Sequence, residues 1–436
     1  MFEVFKSSWA LLLGMMLLMV GNGLQGSLIG VRGDIEGFTT FELSLITSGY
    51  FLGFLGGSRM APNIIQRVGH VRVFAALGSF ISAVLILYPA VTDPIAWVVL
   101  RVVIGFCFSG VYVTAESWLN NSASNDNRGQ ALSLYMIVQM VGIVTAQGLL
   151  NVADPGGFIL FVIPSVLVSI SFAPILLSVT PTPAFGATRQ LSFADLYKIS
   201  PLGVIGMLML GGVFSAQFGM SAVYGTRAGF SVAQISVFVS SIFVGAMVLQ
   251  FPIGWLSDRM DRRILILGVS VIATTAATIA WLFGTQFYVL LACSFIIGGM
   301  TNPLYALLIA YTNDYLEPED MAGASGGLLF VNGLGAIAGP VLTGWLMTQF
   351  GAQGFWLIIM VTMMATSAYA AFRMTRRPSA YAEESEYEAV PYAAVGPGST
   401  PFIAEMAQEV YVEAAEEIAE AAEAEAEGVA EESLPR

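Results

Sequence analysis

Twelve long apolar runs constrain the fold of this chain more than any other feature of its sequence. A helix needs about 20 mainly apolar residues to cross the hydrocarbon core of a bilayer. No water is available there to backbone polar groups, so a spanning segment must satisfy them itself, as an α-helix does. The runs occupy residues 9–30, 41–59, 71–92, 95–119, 130–152, 157–179, 201–222, 232–256, 262–283, 286–312, 321–348 and 352–374. They predict an all-α membrane protein with twelve transmembrane helices.

Landmarks in the first part of the chain recur about 193 residues later. Gly105, Tyr112 and Asn120 correspond to Gly298, Tyr305 and Asn313, and the helix-start pattern Thr39-x-x-Glu42 corresponds to Ser231-x-x-Gln234. A near-constant offset indicates two copies of one unit. We therefore expect two six-helix halves related by pseudo-symmetry, an arrangement typical of membrane transporters. At Thr39 and Ser231 the pattern also predicts a helix capping box, which is the favoured interpretation of Glu42.

The charges of the chain are few and unevenly placed. Charged residues make up 11% of the sequence, against about 25% in a soluble domain. The net charge is −13, but residues 375–436 hold fifteen Glu and three Arg and therefore carry −12. Like charge and little apolar surface argue against a packed domain. We expect this tail to be largely disordered, with a docked regulatory element as the alternative.

The repeat and the loops define four parts of the chain and their orientation. Residues 1–179 and 201–374 are the two halves, 375–436 the tail, and 180–200 a linker with a short amphipathic helix. Lys and Arg in short loops mark the cytoplasmic side of a membrane. Thirteen of them fall on the side of the N-terminus, and only Arg32 and Arg227 fall on the other. Both termini, the linker and the tail are therefore predicted to be cytoplasmic.

The loop after the eighth run carries a recognisable motif. Residues 254–263 read GWLSDRMDRR, which resembles the G-x-L-x-D-R-x-G-R-R loop of the major facilitator superfamily, with Asp261 in place of the second glycine. A weaker copy in the first half keeps two arginines but has Gln66 where the aspartate belongs. In that family the loop locks neighbouring helices on the cytoplasmic side. The resemblance implies a gating role for Asp258, Arg259, Arg262, Arg263, Arg67 and Arg72, and the alternative is that the arginines only set topology.

Further residues in the first half resemble the YcaD-like branch of bacterial facilitators. They are Gly21-Asn22-Gly23, the stretch 67–72, Glu116-Ser117-Trp118-Leu119 and Asn127-Arg128-Gly129. The superfamily resemblance extends to about residue 374. It implies the twelve-helix facilitator fold in a bacterial inner membrane, and it implies no particular substrate.

Two ionisable residues, Arg101 and Glu116, lie within or near the ends of an apolar run. Such a group costs about 2.5–3.5 kcal/mol to insert, so it is a functional candidate by default. At 1.5 Å per residue the two lie about 22 Å apart along one helix and cannot pair with each other. Arg101-x-x-x-Gly105 also resembles a family motif associated with energy coupling. We expect proton coupling through Glu116, assisted by Arg101, with an anchoring contact from Glu116 to Arg128 or to the weaker loop as the alternative.

Candidate substrate-binding residues are uncharged. The resemblance implies that the first, fourth, seventh and tenth helices line a central cavity. Amides and phenols can hydrogen-bond a solute in apolar surroundings, although a buried amide can instead tie two helices together. With so few fixed charges, a multiply charged solute is disfavoured. The predicted binding residues are Asn22, Gln25, Ser109, Tyr112, Gln217, Tyr224, Asn302 and Tyr305.

These observations predict a monomeric secondary transporter and not an enzyme. The single histidine and the two cysteines have no partners at metal-ligand spacing, and no phosphate-binding loop is present. We expect no metal, no cofactor, no catalytic residues and no nucleic acid, but membrane lipid around the chain and a small neutral, weakly charged or amphiphilic solute as the substrate. The alternative is a non-transporting membrane scaffold or assembly factor that binds a protein partner through the acidic tail.

Overall fold

A computed structural model describes residues 2–122, 128–177, 193–284, 286–316, 318–376, 395–396, 400 and 403–415. Helices dominate these residues, and no strand occurs among them. The first half contains six long helices. They are α1 (Phe2–Ile35), α2 (Thr40–Val68), α3 (His70–Leu87), α4 (Pro94–Ser122), α5 (Arg128–Leu149) and α6 (Ile159–Leu177).

The second half repeats this arrangement after a short helix in the predicted linker, α7 (Phe193–Ile199). Its first spanning segment is a continuous run of α8 (Pro201–Ser215), a π-helical turn (Ala216–Met220) and α9 (Ser221–Arg227). Five more long helices follow. They are α10 (Val232–Ser257), α11 (Arg262–Leu282), α12 (Phe287–Asn313), α13 (Pro318–Phe350) and α14 (Gly354–Met374). Residues 403–415 of the predicted tail form a further helix, α15.

The described helices account for the twelve predicted spans. Among the described residues, nine segments are long and apolar enough to cross a membrane, and the last of these, Gly323–Met374, contains most of α13 and all of α14. The remaining two spans are α6, which has a shorter apolar stretch, and α2, which carries Glu42, Arg59 and Arg67. The predicted all-α membrane fold is confirmed.

Both predicted capping boxes are present at the start of the second helix of each half. The backbone N–H of Glu42 donates to the Thr39 hydroxyl at 3.2 Å, and the Thr39 N–H donates to the Glu42 carboxylate at 2.7 Å. Ser231 and Gln234 make the same pair of contacts at 3.3 and 2.9 Å. Glu42 therefore satisfies orphan backbone groups of α2, as the sequence indicated.

The sequence repeat is also a repeat of helix packing. A Cβ atom on Gly105 would lie 2.0 Å from the carbonyl oxygen of Tyr50, and one on Gly298 would lie 2.0 Å from that of Ile242. Tyr50 and Ile242 are themselves repeat equivalents. Glycine thus lets the backbones of α2 and α4, and of α10 and α12, touch directly.

The two ends of the bundle differ. We call the end where α2 and α10 finish the arginine-rich end, and the other the opposite end. At the opposite end the halves are in direct polar contact: Arg227 on α9 forms a 2.9 Å ion pair with Asp34 on α1 and donates to the Phe38 carbonyl at 2.7 Å. Asn151, just after α5, also donates to Ser236 on α10 at 2.8 Å. These contacts hold the two halves together at the opposite end.

Candidate functional site

A cavity lies between the two halves. Its lining comes from both halves and is predominantly aromatic, aliphatic and methionine-rich. In the described part of the chain no charged side chain lines it. The lining residues are Met19, Asn22, Tyr50, Phe51, Phe54, Leu55, Ser58, Tyr112, Met136, Gln139, Met140, Ile143, Phe214, Phe218, Phe243, Asn302, Leu329, Asn332, Gly333, Ala336 and Gly396.

Aromatic rings from the two halves meet at Phe218. Its ring stacks on Phe214 at 5.9 Å between centroids and on Tyr50 at 6.1 Å, and it meets Phe243 edge-on at 6.2 Å. Phe218 lies in the π-helical turn between α8 and α9, an irregularity that often occurs at functional sites. The cavity therefore has an aromatic wall that can accept a flat apolar group.

Polar groups of the first half form a connected chain beside this wall. The Asn22 amide donates to the hydroxyls of Tyr112 at 2.7 Å and Tyr50 at 3.1 Å. Gln25 donates to Asn22 at 2.9 Å, and Arg101 donates to Gln25. Hydrogen bonds thus connect Arg101, behind the cavity, to Tyr112, on its surface.

Arg101 is buried and held by its neighbours in the first half. Besides Gln25, its guanidinium faces the Tyr50 ring at 5.3 Å, a cation–π contact that lowers the cost of burying its charge. Arg101 and Glu116 do not touch, in agreement with the distance expected along α4.

Glu116 is almost fully buried, one helical turn after Tyr112. One carboxylate oxygen accepts a hydrogen bond from the Tyr135 hydroxyl at 2.7 Å, and the other accepts one from the Thr400 hydroxyl. Among the described side chains, none of its contacts is an ion pair. The side chain of Arg128, the alternative partner that the sequence suggested, lies outside the described residues.

Polar groups of the second half pair mainly with one another. Gln217 and Thr301 exchange hydrogen bonds at 3.1 and 3.2 Å, which joins α12 to the π-helical turn. Asn302 lies on the cavity surface and donates to Gln250 at 3.4 Å. Asn332 on α13 also lines the cavity and donates to the Met207 carbonyl at 3.1 Å.

Of the eight predicted binding residues, Asn22, Tyr112 and Asn302 line the cavity. The other five lie elsewhere. Gln25 supports Asn22 from behind, and Gln217 pairs with Thr301. Ser109 and Tyr305 are fully buried in α4 and α12, and Tyr224 packs against Phe355 at 4.9 Å in an aromatic cluster. Whether any of them binds a solute stays a prediction.

Sequence reasoning missed lining residues from helices that it did not consider. Ser58 comes from α2, Gln139 from α5 and Asn332 from α13. Each is a polar residue within an apolar run, which is the signal that could have found them. The family pattern drew attention only to the first, fourth, seventh and tenth helices.

The predicted gating loop contains a buried ion pair with an unexpected acid. Arg262 pairs with Asp314, just after the end of α12, and both side chains are buried. Arg263 pairs with Asp261 at 2.7 Å. Arg259 lies over the Trp255 ring at 4.3 Å. The loop therefore ties α11 to α12 through Arg262.

The other predicted gating residues, Asp258, Arg67 and Arg72, are more exposed to solvent than Arg262. Asp258 ends α10 and is half-buried. Burial raises the pKa of its carboxyl, while Arg262 and Arg259 lower it. Arg67 and Arg72 in the weaker loop are exposed. The gating assignment stays a prediction, and Asp314 joins the residues that it concerns.

The arrangement of a repeated helix bundle around a central cavity agrees with comparisons of the whole chain. The model of the Major Facilitator Superfamily matches residues 11–247 and 202–404. The chain belongs to the major facilitator superfamily. Its function therefore lies among membrane transporters, and the chain is a multi-pass membrane protein.

Curated relatives of the chain are also members of this family. An uncharacterized MFS-type transporter of Yersinia enterocolitica is 26% identical over 362 residues, which cover 80% of this chain and 91% of the relative. The MFS-type transporter YcaD of Salmonella arizonae is 26% identical over 353 residues, with the same coverage. This agrees with the branch to which the first half showed a resemblance.

Solved structures of transporters share the fold. A mutant of the nucleoside transporter NupG superimposes with a TM-score of 0.69 at 16% identity, covering 83% of this chain and 99% of that one. A bacterial homolog of the human lysosomal transporter Spinster, in an inward-facing and unoccupied conformation, gives a TM-score of 0.66 at 14% identity, covering 94% and 98%.

Proposed function

We propose that this protein is a secondary transporter that moves a small neutral, weakly charged or amphiphilic solute across a bacterial cytoplasmic membrane by alternating access. The observation that carries the proposal is the cavity between the two halves, whose described lining is uncharged. An aromatic wall would hold an apolar ring, and a few amides and hydroxyls would orient the solute. A phosphorylated solute would find no fixed cation among the described lining residues to offset its desolvation.

The proposed mechanism is a rocking motion of the two halves about this cavity. Contacts such as the Arg227–Asp34 ion pair hold the opposite end closed. The arginine-rich end, assigned to the cytoplasm by its Lys and Arg residues, is the other end of the cavity. Breaking the contacts at the opposite end would then open the cavity to the other side of the membrane.

The substrate class is tested by thermal stabilisation of the purified protein, because a ligand that binds only the folded state raises the unfolding temperature. Uridine, adenosine and other neutral aromatic solutes are compared with their monophosphates. The members of each pair share the base and the sugar and differ by the charged phosphate group. The proposal predicts that stabilisation, where found, is confined to the uncharged member of a pair. Stabilisation by the monophosphates alone would contradict it.

Proton coupling through Glu116 is the second part of the proposal. A buried carboxylate whose described contacts include no ion pair can take up a proton without breaking one. Glu116 lies on α4 one helical turn after Tyr112, which is on the cavity surface, so its protonation state can influence the cavity. Arg101 would act from behind the cavity through Gln25 and Asn22.

The variant Glu116→Gln tests this role. It keeps the size and most of the hydrogen bonding of the side chain but removes the titrating group. We expect solute accumulation driven by an imposed pH gradient to be lost, while exchange of solute without a gradient continues. Gln139→Glu is not an adequate control because it adds a charge to the cavity. The wild type and Glu42→Gln serve as controls instead. Full pH-gradient dependence in Glu116→Gln would exclude the role.

A further inference from the structure

Described residues between positions 395 and 415 pack into the arginine-rich end of the bundle. In α15, Ile403, Met406 and Ala407 are fully buried, and Val395, nearer the cavity, is buried as well. Gly396 is part of the cavity lining itself. The described residues of the predicted tail are therefore a packed element, and the expectation of disorder stays a prediction for the remainder.

This segment contacts the first half at three places. Thr400 donates a hydrogen bond to Glu116 on α4. A Cβ atom on Gly396 would lie 2.8 Å from the Met136 side chain on α5. A Cβ atom on Gly129, at the start of α5, would lie 3.6 Å from the Val410 side chain.

The same segment contacts the second half. The Gln408 amide oxygen accepts hydrogen bonds from Asn313 at 2.9 Å and from Ser325 at 3.2 Å, and its nitrogen approaches the Met321 sulfur at 2.8 Å. Tyr411 donates to Asp314 at 3.5 Å. The buried polar side chain of Gln408 is thus matched to groups on α12 and α13. We call the surface of α4, α5, α12 and α13 that holds this segment its seat, and it makes specific polar contacts as well as apolar ones.

We propose that the described residues of this segment, 395–396, 400 and 403–415, form a built-in plug that closes the cavity from the cytoplasm. The segment spans the gap between the halves, reaches the cavity floor with Gly396, and holds Glu116 through Thr400. Its seat uses groups of both halves, so it fits only one spacing between them. Under the proposed transport function, on which this inference rests, the plug must leave before solute can exchange with the cytoplasm.

The seating is tested without a transport assay in the full-length chain. Ser58→Cys places a reporter in the cavity lining, in a background where the buried Cys107 and Cys293 are replaced by Ser. Ala407→Arg puts a charge into the fully buried face of α15, and Ala414→Arg makes the same change at a half-buried position seven residues later. A membrane-impermeant maleimide is added from the cytoplasmic side.

We expect Ala407→Arg to increase the rate of labelling of Ser58→Cys by about tenfold or more, because an unpaired charge cannot be buried in the seat. Ala414→Arg should leave the rate near that of the unmodified tail. Equal, rapid labelling in all three proteins would overturn the plug. Equal, slow labelling would also overturn it, since the cavity would then be closed by something other than α15.

A disulfide between Gly129→Cys and Val410→Cys provides the second test. Oxidation in membranes should cross-link the pair, and Ala407→Arg should reduce the yield. Transport that continues in the cross-linked protein would overturn the plug. Labelling and cross-linking that follow these expectations, with no transport in any variant, would instead refute the proposed function and leave the closed cavity explained by the plug.

Discussion

At the scale of single residues, burial changes the protonation of ionisable groups at the arginine-rich end. Arg262 and Asp314 are an example, since both are removed from solvent and each has the other as a partner. Removing water penalises the charged carboxylate, and the nearby arginine only partly offsets this penalty. Burial therefore raises the pKa of Asp314 to about 6, although Arg262 lowers it.

This shift predicts a pH dependence of stability. An unfolded chain returns the pKa of Asp314 to its ordinary value near 3.8, so the folded protein binds the proton more tightly between that value and about 6. The stabilisation from this proton is complete below the unfolded pKa and is lost as the pH rises through the folded one. Lowering the pH from 7 to 5 should thus stabilise the folded state through Asp314 by about 1 kcal/mol.

The measurement compares thermal unfolding of wild type and Asp314→Asn in detergent at the two pH values. The wild type should gain more, or lose less, than the variant on acidification. Titrating groups remote from Asp314 contribute equally to both proteins and cancel in the difference. An identical pH response in the two proteins would show that Asp314 is not shifted in this direction.

At this scale the sequence could predict residue types better than partners. It indicated Glu116 and Arg101 because charged groups are costly in an apolar run, Asn22 because an amide can hydrogen-bond a solute, and Arg262 because of the loop motif. It could not identify Asp314 as the partner of Arg262, because the two lie 52 positions apart and meet only when α11 packs beside α12. The contact of Glu116 with Thr400 is more remote still, at 284 positions.

At the scale of helices, the repeated glycine contacts decide how closely each half packs. Gly105→Ala and Gly298→Ala would each press a methyl group into a carbonyl of the neighbouring helix, at 2.0 Å in both cases. We expect each substitution to cost about 1–3 kcal/mol of stability through overpacking. The two effects should be similar, because the repeat reproduces the contact.

Gly268→Ala is the matched control for these variants. Gly268 lies inside α11, and a Cβ atom there would meet nothing within 4 Å. Its substitution should be neutral or stabilise the protein by about 0.5–1 kcal/mol, since alanine favours helix over glycine. Unfolding temperatures of the three variants test the claim, and tolerance of alanine at Gly105 and Gly298 would show that the close contacts are not formed.

Helices and their pairing were the best-predicted level of this structure. The apolar runs gave the spans, and the constant offset indicated which helices correspond. The sequence did not predict the π-helical turn that places Phe218, because the residues Ala216–Met220 continue an ordinary apolar run. It also favoured a disordered tail over α15, since net charge is a property of the whole tail while burial depends on a few residues such as Ile403 and Met406.

At the scale of the whole molecule, the proposed transport requires the two halves to move about a shared cavity. The ion pair between Arg227 and Asp34 is one of the contacts that hold the opposite end closed, and each side chain is about one-third exposed. Such a pair is worth only about 0–1 kcal/mol, so its removal should shift the balance between conformations without unfolding the protein. Asp34→Asn is therefore expected to favour opening at that end.

Distances between spin labels at the two ends test this central claim most directly. Ile95 and Tyr288 are exposed repeat equivalents at the opposite end, and Val71 and Ile264 are exposed repeat equivalents at the arginine-rich end. The account predicts that Asp34→Asn lengthens the Ile95–Tyr288 distance and shortens the Val71–Ile264 distance. Distances that stay fixed, or that lengthen together, would contradict alternating access.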